Sequence, residues 1–281
     1  QSYALFPHLS VYDNIAFGLK RSDMPKEQIP ERVNEMLRLT RLEKFAKRKP
    51  HQISGGQRQR VALARSLAKA PKLLLLDEPL GALDKKLREE TQFELMDIQE
   101  KTGTTFVIVT HDQEEAMTVA SRVAVMDAGI IKQVDTPPAI YEAPNSVYVA
   151  DFIGDVNLIE GTATKSGEHA YDIAYAEGVP PIKVSESANE VAEGARVTFA
   201  IRPEKILVSQ TPPEDRANTL QGTIIDIGYL GNLSTYHVEL TGGQMVKATM
   251  TNSSRISRRD FTWEDKVWLS FRSSAGVVLS E

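Results

Sequence analysis

The chain has no cysteine, which excludes disulfides and thiolate metal sites and fits a reducing compartment. None of its apolar runs approaches the roughly 18 residues that cross a bilayer, and its first residues lack a secretory-signal pattern. It has no basic excess: 33 Lys and Arg stand against 38 Asp and Glu, a formal net charge of −5. Chains that grip a nucleic-acid backbone carry the opposite imbalance. Aromatic residues make up only 7%, and no basic stripe with stacking rings offers a single-strand platform. What remains is an ordinary globular composition, 41% hydrophobic and 25% charged over 281 residues, long enough for two domains with separate cores.

The first part alternates helix and strand. Residues 11–20 and 26–42 have helical spacing, with Val33, Met36, Leu37 and Leu39 on one side. A helix is predicted from Gly55 to about Ala68, stopped by Pro71. Residues 73–76 are four consecutive leucines, predicted as a strand buried on both faces. A long helix follows Asp84, residues 104–110 read as a β-branched strand, and Asp112 with Glu115 reads as a capping box for the next helix. Residues 123–126 and 130–134 flank Asp127-Ala128-Gly129, a predicted hairpin turn. This order implies an α/β layer with a mainly parallel sheet. The pattern changes near Asp155-Val156-Asn157. From 158 to 280 short strand candidates recur between Gly, Pro, Asn and Ser, which suggests small barrels or a sandwich, with a boundary at about 155.

Three places along the first part can carry chemistry. Gly55 and Gly56 let backbone amides approach an anion, Ser54 adds a hydroxyl, and the following helix points its positive end at the same spot. Asp77 and Glu78 end an apolar strand, where open α/β sheets place ligands. An Asp there can hold Mg²⁺ through water, and a neighbouring Glu can polarise an attacking water. His111 follows the next strand, and parallel neighbours would set it beside Asp77 and Glu78. Taken singly each has a plain alternative: a loop that only caps a helix, a solvated carboxylate pair, a structural histidine. Asp84 would by itself pass as a helix N-cap.

Jointly these segments are specific. Ile-Ser-Gly-Gly-Gln at 53–57, Leu-Leu-Leu-Leu-Asp-Glu-Pro at 73–79, Ala-Leu-Asp at 82–84 and Thr-His at 110–111 resemble, in order and spacing, the ATP-binding subunits of ABC transporters. Residues 1–7 and the Phe-Ile-Gly joint at 152–154 extend the likeness over essentially the whole chain. Arg202-Pro203-Glu204-Lys205-Ile206 looks like the C-terminal regulatory domain of the TOBE type.

The resemblance implies an ABC-type P-loop ATPase domain of α/β class, with a helical subdomain, over 1–155 from the Q-loop onward. An all-β OB-like (TOBE) regulatory domain would follow over 156–281. It implies ATP and Mg²⁺ as cofactors. Gln1 would match the Q-loop side chain that touches Mg²⁺, and Ala4, Leu5, Phe6 and Pro7 would begin the groove for the permease coupling helix. Ser54, Gly55, Gly56 and Gln57 would form the signature that contacts ATP held by the opposite subunit. Asp77 would be the Walker B carboxylate on Mg²⁺, Glu78 the catalytic base, Asp84 the D-loop aspartate and His111 the switch histidine. The implied partners are a second ATPase subunit in a homodimer, two transmembrane permease subunits and, indirectly, a periplasmic or extracellular solute-binding protein. Nucleic acid is not among them. The implied location is peripheral, at the cytoplasmic face of the bacterial inner membrane.

Ile53 stands for the usual Leu and Gly81 for a common Ser, both small departures. A G-x-x-x-x-G-K-[ST] phosphate loop occurs nowhere in these residues, so the polypeptide alone is expected to hydrolyse ATP negligibly. Residues 152–157, 227–234 and 267–270 are most similar to polyamine (putrescine/spermidine) import ATPases. Importers of iron(III), sugar or another small solute share every catalytic motif. The reading from another class is a non-catalytic regulatory or dimerisation fragment.

Overall fold

A computed structural model describes residues 4–81, 85–187, 189–253 and 260–280. The chain divides into two compact units, Gln1–Ala120 and Ser121–Glu281. In the first, α1 (Val11–Leu19) opens at Ser10, whose hydroxyl accepts the Asp13 amide at 3.0 Å. Val11, Ile15, Ala16 and Leu19 form its buried stripe. α2 (Ile29–Leu39) begins later than the spacing predicts. Gln28 first closes a turn on the Pro25 carbonyl, and Pro30 then sits in the opening helical turn, where a missing N–H costs little. α3 (Gly55–Leu67) buries Val61, Leu63, Ala64 and Leu67. Its last carbonyls, at Leu67 and Ala68, are taken by the Arg32 guanidinium at 3.0 and 2.9 Å.

β1 (Leu73–Asp77), α4 (Lys85–Thr102), β2 (Thr105–Val109) and α5 (Gln113–Val119) complete this unit. β1 and β2 are parallel, Leu73 opposite Thr105 and Asp77 opposite Val109, with α4 as the crossover. Among the described residues, only one face of residues 73–76 is covered. Leu74 lies in the core with Leu76 and Phe106 against it, but Leu73 and Leu75 are 52% and 70% exposed. Val107 and Val109 are also exposed. Side chains alternate across a strand, and the helices of this unit cover one face of the pair. The capping box is likewise only half formed. Asp112 accepts the Glu115 amide at 3.1 Å, but the Glu115 carboxylate turns inward and takes the Thr110 hydroxyl at 2.7 Å instead.

The second unit opens with the predicted hairpin, β3 (Val123–Asp127) and β4 (Ile130–Asp135). Its turn residues Ala128 and Gly129 have φ of 47° and 81°, the paired positive values whose twist suits a tight hairpin. The residue pattern did not reveal α6 (Pro137–Glu142) and α7 (Val147–Phe152), since six residues are too few to show a period. Thr136 and Ser146 cap them.

Among the described residues ten strands follow, at nearly the positions expected: β5 (Asn157–Gly167), β6 (Ala170–Ala174), β7 (Ile182–Val184), β8 (Arg196–Ile201), β9 (Leu207–Ser209), β10 (Asn218–Tyr229), β11 (Leu233–Leu240), β12 (Met245–Thr251), β13 (Lys266–Phe271) and β14 (Gly276–Leu279). They form two five-stranded sheets, ordered β14-β8-β5-β6-β7 and β12-β11-β10-β13-β9, around one shared apolar core. The two orders are the same, read in opposite directions, with the outer strand exchanged. β9 follows β8 in the chain but pairs with β13, and β14 follows β13 but pairs with β8.

The sequence carries the same duplication. Asn157 and Gly161-Thr162 in β5 match Asn218 and Gly222-Thr223 in β10. Each asparagine reaches into the other half. Asn157 bonds both backbone groups of Lys247 at 2.7 and 2.8 Å, and Asn218 does the same to Lys183. The glycines are forced by close approach. A Cβ at Gly161 would lie 2.7 Å from the Ala174 carbonyl oxygen, and one at Gly222 would lie 2.7 Å from that of Glu239.

The compact division at 120 precedes the change of pattern at 155, because β3, β4, α6 and α7 fall in the second unit. Arg202, at the end of β8 and 4% exposed, ties α6 and α7 to the strands. Its guanidinium donates to the carbonyls of Ala150, Gly154 and Asp155 at 2.9 to 3.1 Å and to that of Tyr141 at 3.4 Å.

Candidate functional site

Because β1 and β2 run parallel and in register, the residues after them emerge side by side. The Glu78 amide donates to the Val109 carbonyl at 2.8 Å, one ladder step beyond Asp77. Glu78 then turns the chain with φ of 42°, a left-handed conformation that costs a non-glycine residue about 1–3 kcal/mol. The turn brings its carboxylate to His111, with Nδ1 and Oε1 2.9 Å apart. A carboxylate oxygen only accepts, so in this contact Nδ1 donates and Nε2 is left out of it. Both side chains are more than half exposed. At such exposure an ion pair contributes little stability, so strain is held here for an arrangement that adds little to the fold. Asp77 is exposed at the same strand end; its carboxylate is a hard oxygen donor of the type Mg²⁺ takes.

Residues Ser54, Gly55, Gly56 and Gln57 form the start of α3. The Ser54 hydroxyl accepts the Gln57 amide at 3.3 Å, and Gln57 Oε1 accepts the Ser54 amide at 2.9 Å. Among the described residues, a Cβ on Gly55 would meet only the tip of Arg58, at 3.9 Å. Packing does not demand a glycine there, so the open space suits an approaching ligand. The described contacts do not place this segment against Glu78 or His111. It is joined to the turn after Glu78 through α3 itself, where Gln59 donates to the Pro79 carbonyl.

Ala4, Leu5, Phe6 and Pro7 run along α1 and α3. Asn14, wholly buried, accepts the Phe6 amide at 2.9 Å and donates to the carbonyls of Phe6, Leu9 and Ser10. The Phe6 and Phe17 rings lie 4.1 Å apart, tilted by 37°, with Arg65 and Arg21 over the two rings. Arg65 also donates to the Ala4 carbonyl at 2.8 Å, and partial burial lowers its pKa. Gln1 and Asp84 lie outside the described residues.

Sequence reasoning passed over Asn14, Gln59, Arg65 and Arg88, and read Glu115 only as half of a capping box. Asn14 and Glu115 had a signal, since each is a polar residue on the inward side of a helix. Gln59, Arg65 and Arg88 had none, because their partners are 20 or more positions away.

Comparison with known proteins covers both halves of the chain. The family described as ABC transporter matches residues 1–81, and the TOBE domain matches 199–279. The putrescine transport ATP-binding protein PotG of Escherichia coli (strain K12) is 53% identical over 280 residues, 100% of this chain and 74% of that protein. The spermidine/putrescine import ATP-binding protein PotA of Nitrosospira multiformis is 44% identical over 283 residues, 100% of this chain and 77% of its own length. A solved structure, cbiO1 from Clostridium perfringens, part of the ABC transporter complex cbiONQ, is 34% identical. It covers 49% of this chain and 54% of its own, with a TM-score of 0.47.

Proposed function

This chain belongs to the ATP-binding subunits of ABC transporters of the putrescine/spermidine import type, and on that premise we propose that it powers polyamine uptake by hydrolysing ATP. The observation that carries the chemistry is the Glu78–His111 contact of 2.9 Å at the ends of two adjacent parallel strands. Glu78 takes a proton from the water that attacks the γ-phosphorus, whose bond to the leaving ADP oxygen breaks. His111, oriented through Nδ1, turns Nε2 toward the γ-phosphate. Mg²⁺, when bound with the nucleotide, neutralises developing phosphate charge, with Asp77 and Gln1 as its protein-side ligands.

We assign residues 1–155 to the ATPase domain and 156–281 to the regulatory domain. That second assignment is supported by β5 pairing with β8, which places the strands before residue 199 in one sheet with those after it. Ser54, Gly55, Gly56 and Gln57 contact the nucleotide held by a second subunit, Asp84 relays across that dimer, and Ala4, Leu5, Phe6 and Pro7 line the groove for a permease coupling helix. Among the described residues no helix is long and apolar enough to cross a membrane. Attachment through the permease at its cytoplasmic face, with the solute-binding protein on the far side, fits that observation.

Residues 1–281 contain no G-x-x-x-x-G-K-[ST] loop, so hydrolysis is measured on a polypeptide that also carries one, with residues 1–281 alone as the blank. Glu78→Gln in that polypeptide should lower kcat at least about 100-fold, as loss of a general base does, with little change in ATP affinity. Unchanged turnover would remove Glu78 from the mechanism. Ser54→Arg in the same polypeptide should abolish ATP-dependent dimerisation while the monomer stays folded. Dimerisation at the original ATP concentration would refute contact across the dimer.

A further inference from the structure

The loop that carries His111 is held by a buried carboxylate that the reaction itself does not use. Glu115, in the first turn of α5, is 1% exposed. Its Oε2 accepts the Thr110 hydroxyl at 2.7 Å, and that hydroxyl oxygen accepts the Asp112 amide at 3.0 Å. Asp112 in turn caps α5 through the Glu115 amide at 3.1 Å and is paired with Arg88 of α4. These bonds close a ring through residues 110, 112 and 115, so both neighbours of His111 are pinned while its ring stays free to meet Glu78.

The second oxygen, Oε1, has no hydrogen-bond partner among the described residues. Leaving a carboxylate oxygen without a partner in the interior is costly. Burial accordingly pushes the Glu115 pKa up, with the Asp112 charge adding to it. The Thr110 hydrogen bond, Arg88 and His111 act the other way. A residue whose only task was to fill this space would be cheaper as an apolar side chain.

We propose that Glu115 is a positioning residue, which sets the orientation of the His111 ring toward Glu78 by fixing the hydroxyl of Thr110. The inference rests on reading Glu78 and His111 as the working pair. Its test reads the environment of His111 and not hydrolysis, so it can fail while the ATPase reading stands.

The test is ¹⁵N NMR of the imidazole nitrogens of His111 in the 281-residue chain, one of five histidines, assigned by His111→Asn. Glu78→Ala supplies the shifts of an unpartnered ring. Glu115→Ala and Thr110→Val should both move the His111 shifts to those values. Glu115→Gln, whose amide oxygen still accepts the Thr110 hydroxyl, should keep the wild-type pattern. The proposal is overturned if Glu115→Ala lowers the melting temperature but leaves His111 unmoved, which is what space-filling predicts. It is also overturned if Thr110→Val has no effect, or if folded Glu115→Gln behaves like Glu115→Ala. Should Glu115→Ala fail to fold, Thr110→Val alone decides, release of His111 supporting the proposal and retention refuting it.

Discussion

Asn14 shows how one side chain can organise a segment that has no regular structure of its own. Residues 6–10 lie against α1 without a ladder or a helix to satisfy their backbone, and a single buried amide supplies four of the bonds they need. Asn14→Ala removes all four and should cost about 3 kcal/mol, since the buried groups left behind pay full desolvation. Urea denaturation measures the loss. Hydrogen exchange should show faster opening at Phe6 than in the core of α3, and equal protection at Phe6 would disprove the clamp. Ser54, Asp77, Glu78 and His111 could be singled out as candidates from their motifs. The left-handed backbone at Glu78 could not be read there, because no local residue preference favours it and only the paired strands over-determine it.

Among elements, the junction of α6, α7 and β8 has the most distinctive electrostatics. Arg202 meets the carbonyl ends of both short helices, where a cation suits the helix dipole, and its guanidinium lies 4.2 Å over the Tyr141 ring. The Tyr141 hydroxyl donates to Glu204 at 2.7 Å, and Lys205 pairs with Glu142. Burial, with the Glu204 hydrogen bond and charge, pushes the Tyr141 pKa from 10 up to about 12. A tyrosine whose folded value is raised contributes stability that is fully present below its unfolded value and lost as pH rises through the folded one. The wild-type chain should therefore lose stability more steeply between pH 10 and about 12 than Tyr141→Phe does. Denaturation midpoints across that window check it, and parallel slopes would rule it out. The elements from α1 to the β3–β4 hairpin could be read from periodicity and turn residues. The short helices at this junction could not, because tertiary capping, and not an amphipathic stripe, holds them.

Across the whole β-rich part, the exchange of β9 and β14 makes each sheet depend on a strand supplied by the other half of the sequence. Removing residues 276–281 should expose the edge of β8 and unprotect amides in 198–201, although those residues are themselves intact. Hydrogen exchange on the shortened chain tests this, and retained protection would mean that β8 does not need its exchanged partner. The candidate site residues could be picked out locally, because Ser54–Gln57 sit at a helix start and Asp77, Glu78 and His111 at or just after strand ends, whereas the Glu78–His111 contact itself depends on β1 and β2 lying side by side. The alternation of strands and turns after residue 155 was equally local, so the ten strands could be counted. Which strand lies beside which was decided only in three dimensions. The exchange pairs β9 with β13 and β14 with β8, far apart in the chain, and Asn157 and Asn218 bond partners 90 and 35 positions away in the other half. The outward face of β1 was also a tertiary matter, because four consecutive leucines encode an extended apolar segment but not which of its faces the surrounding helices cover.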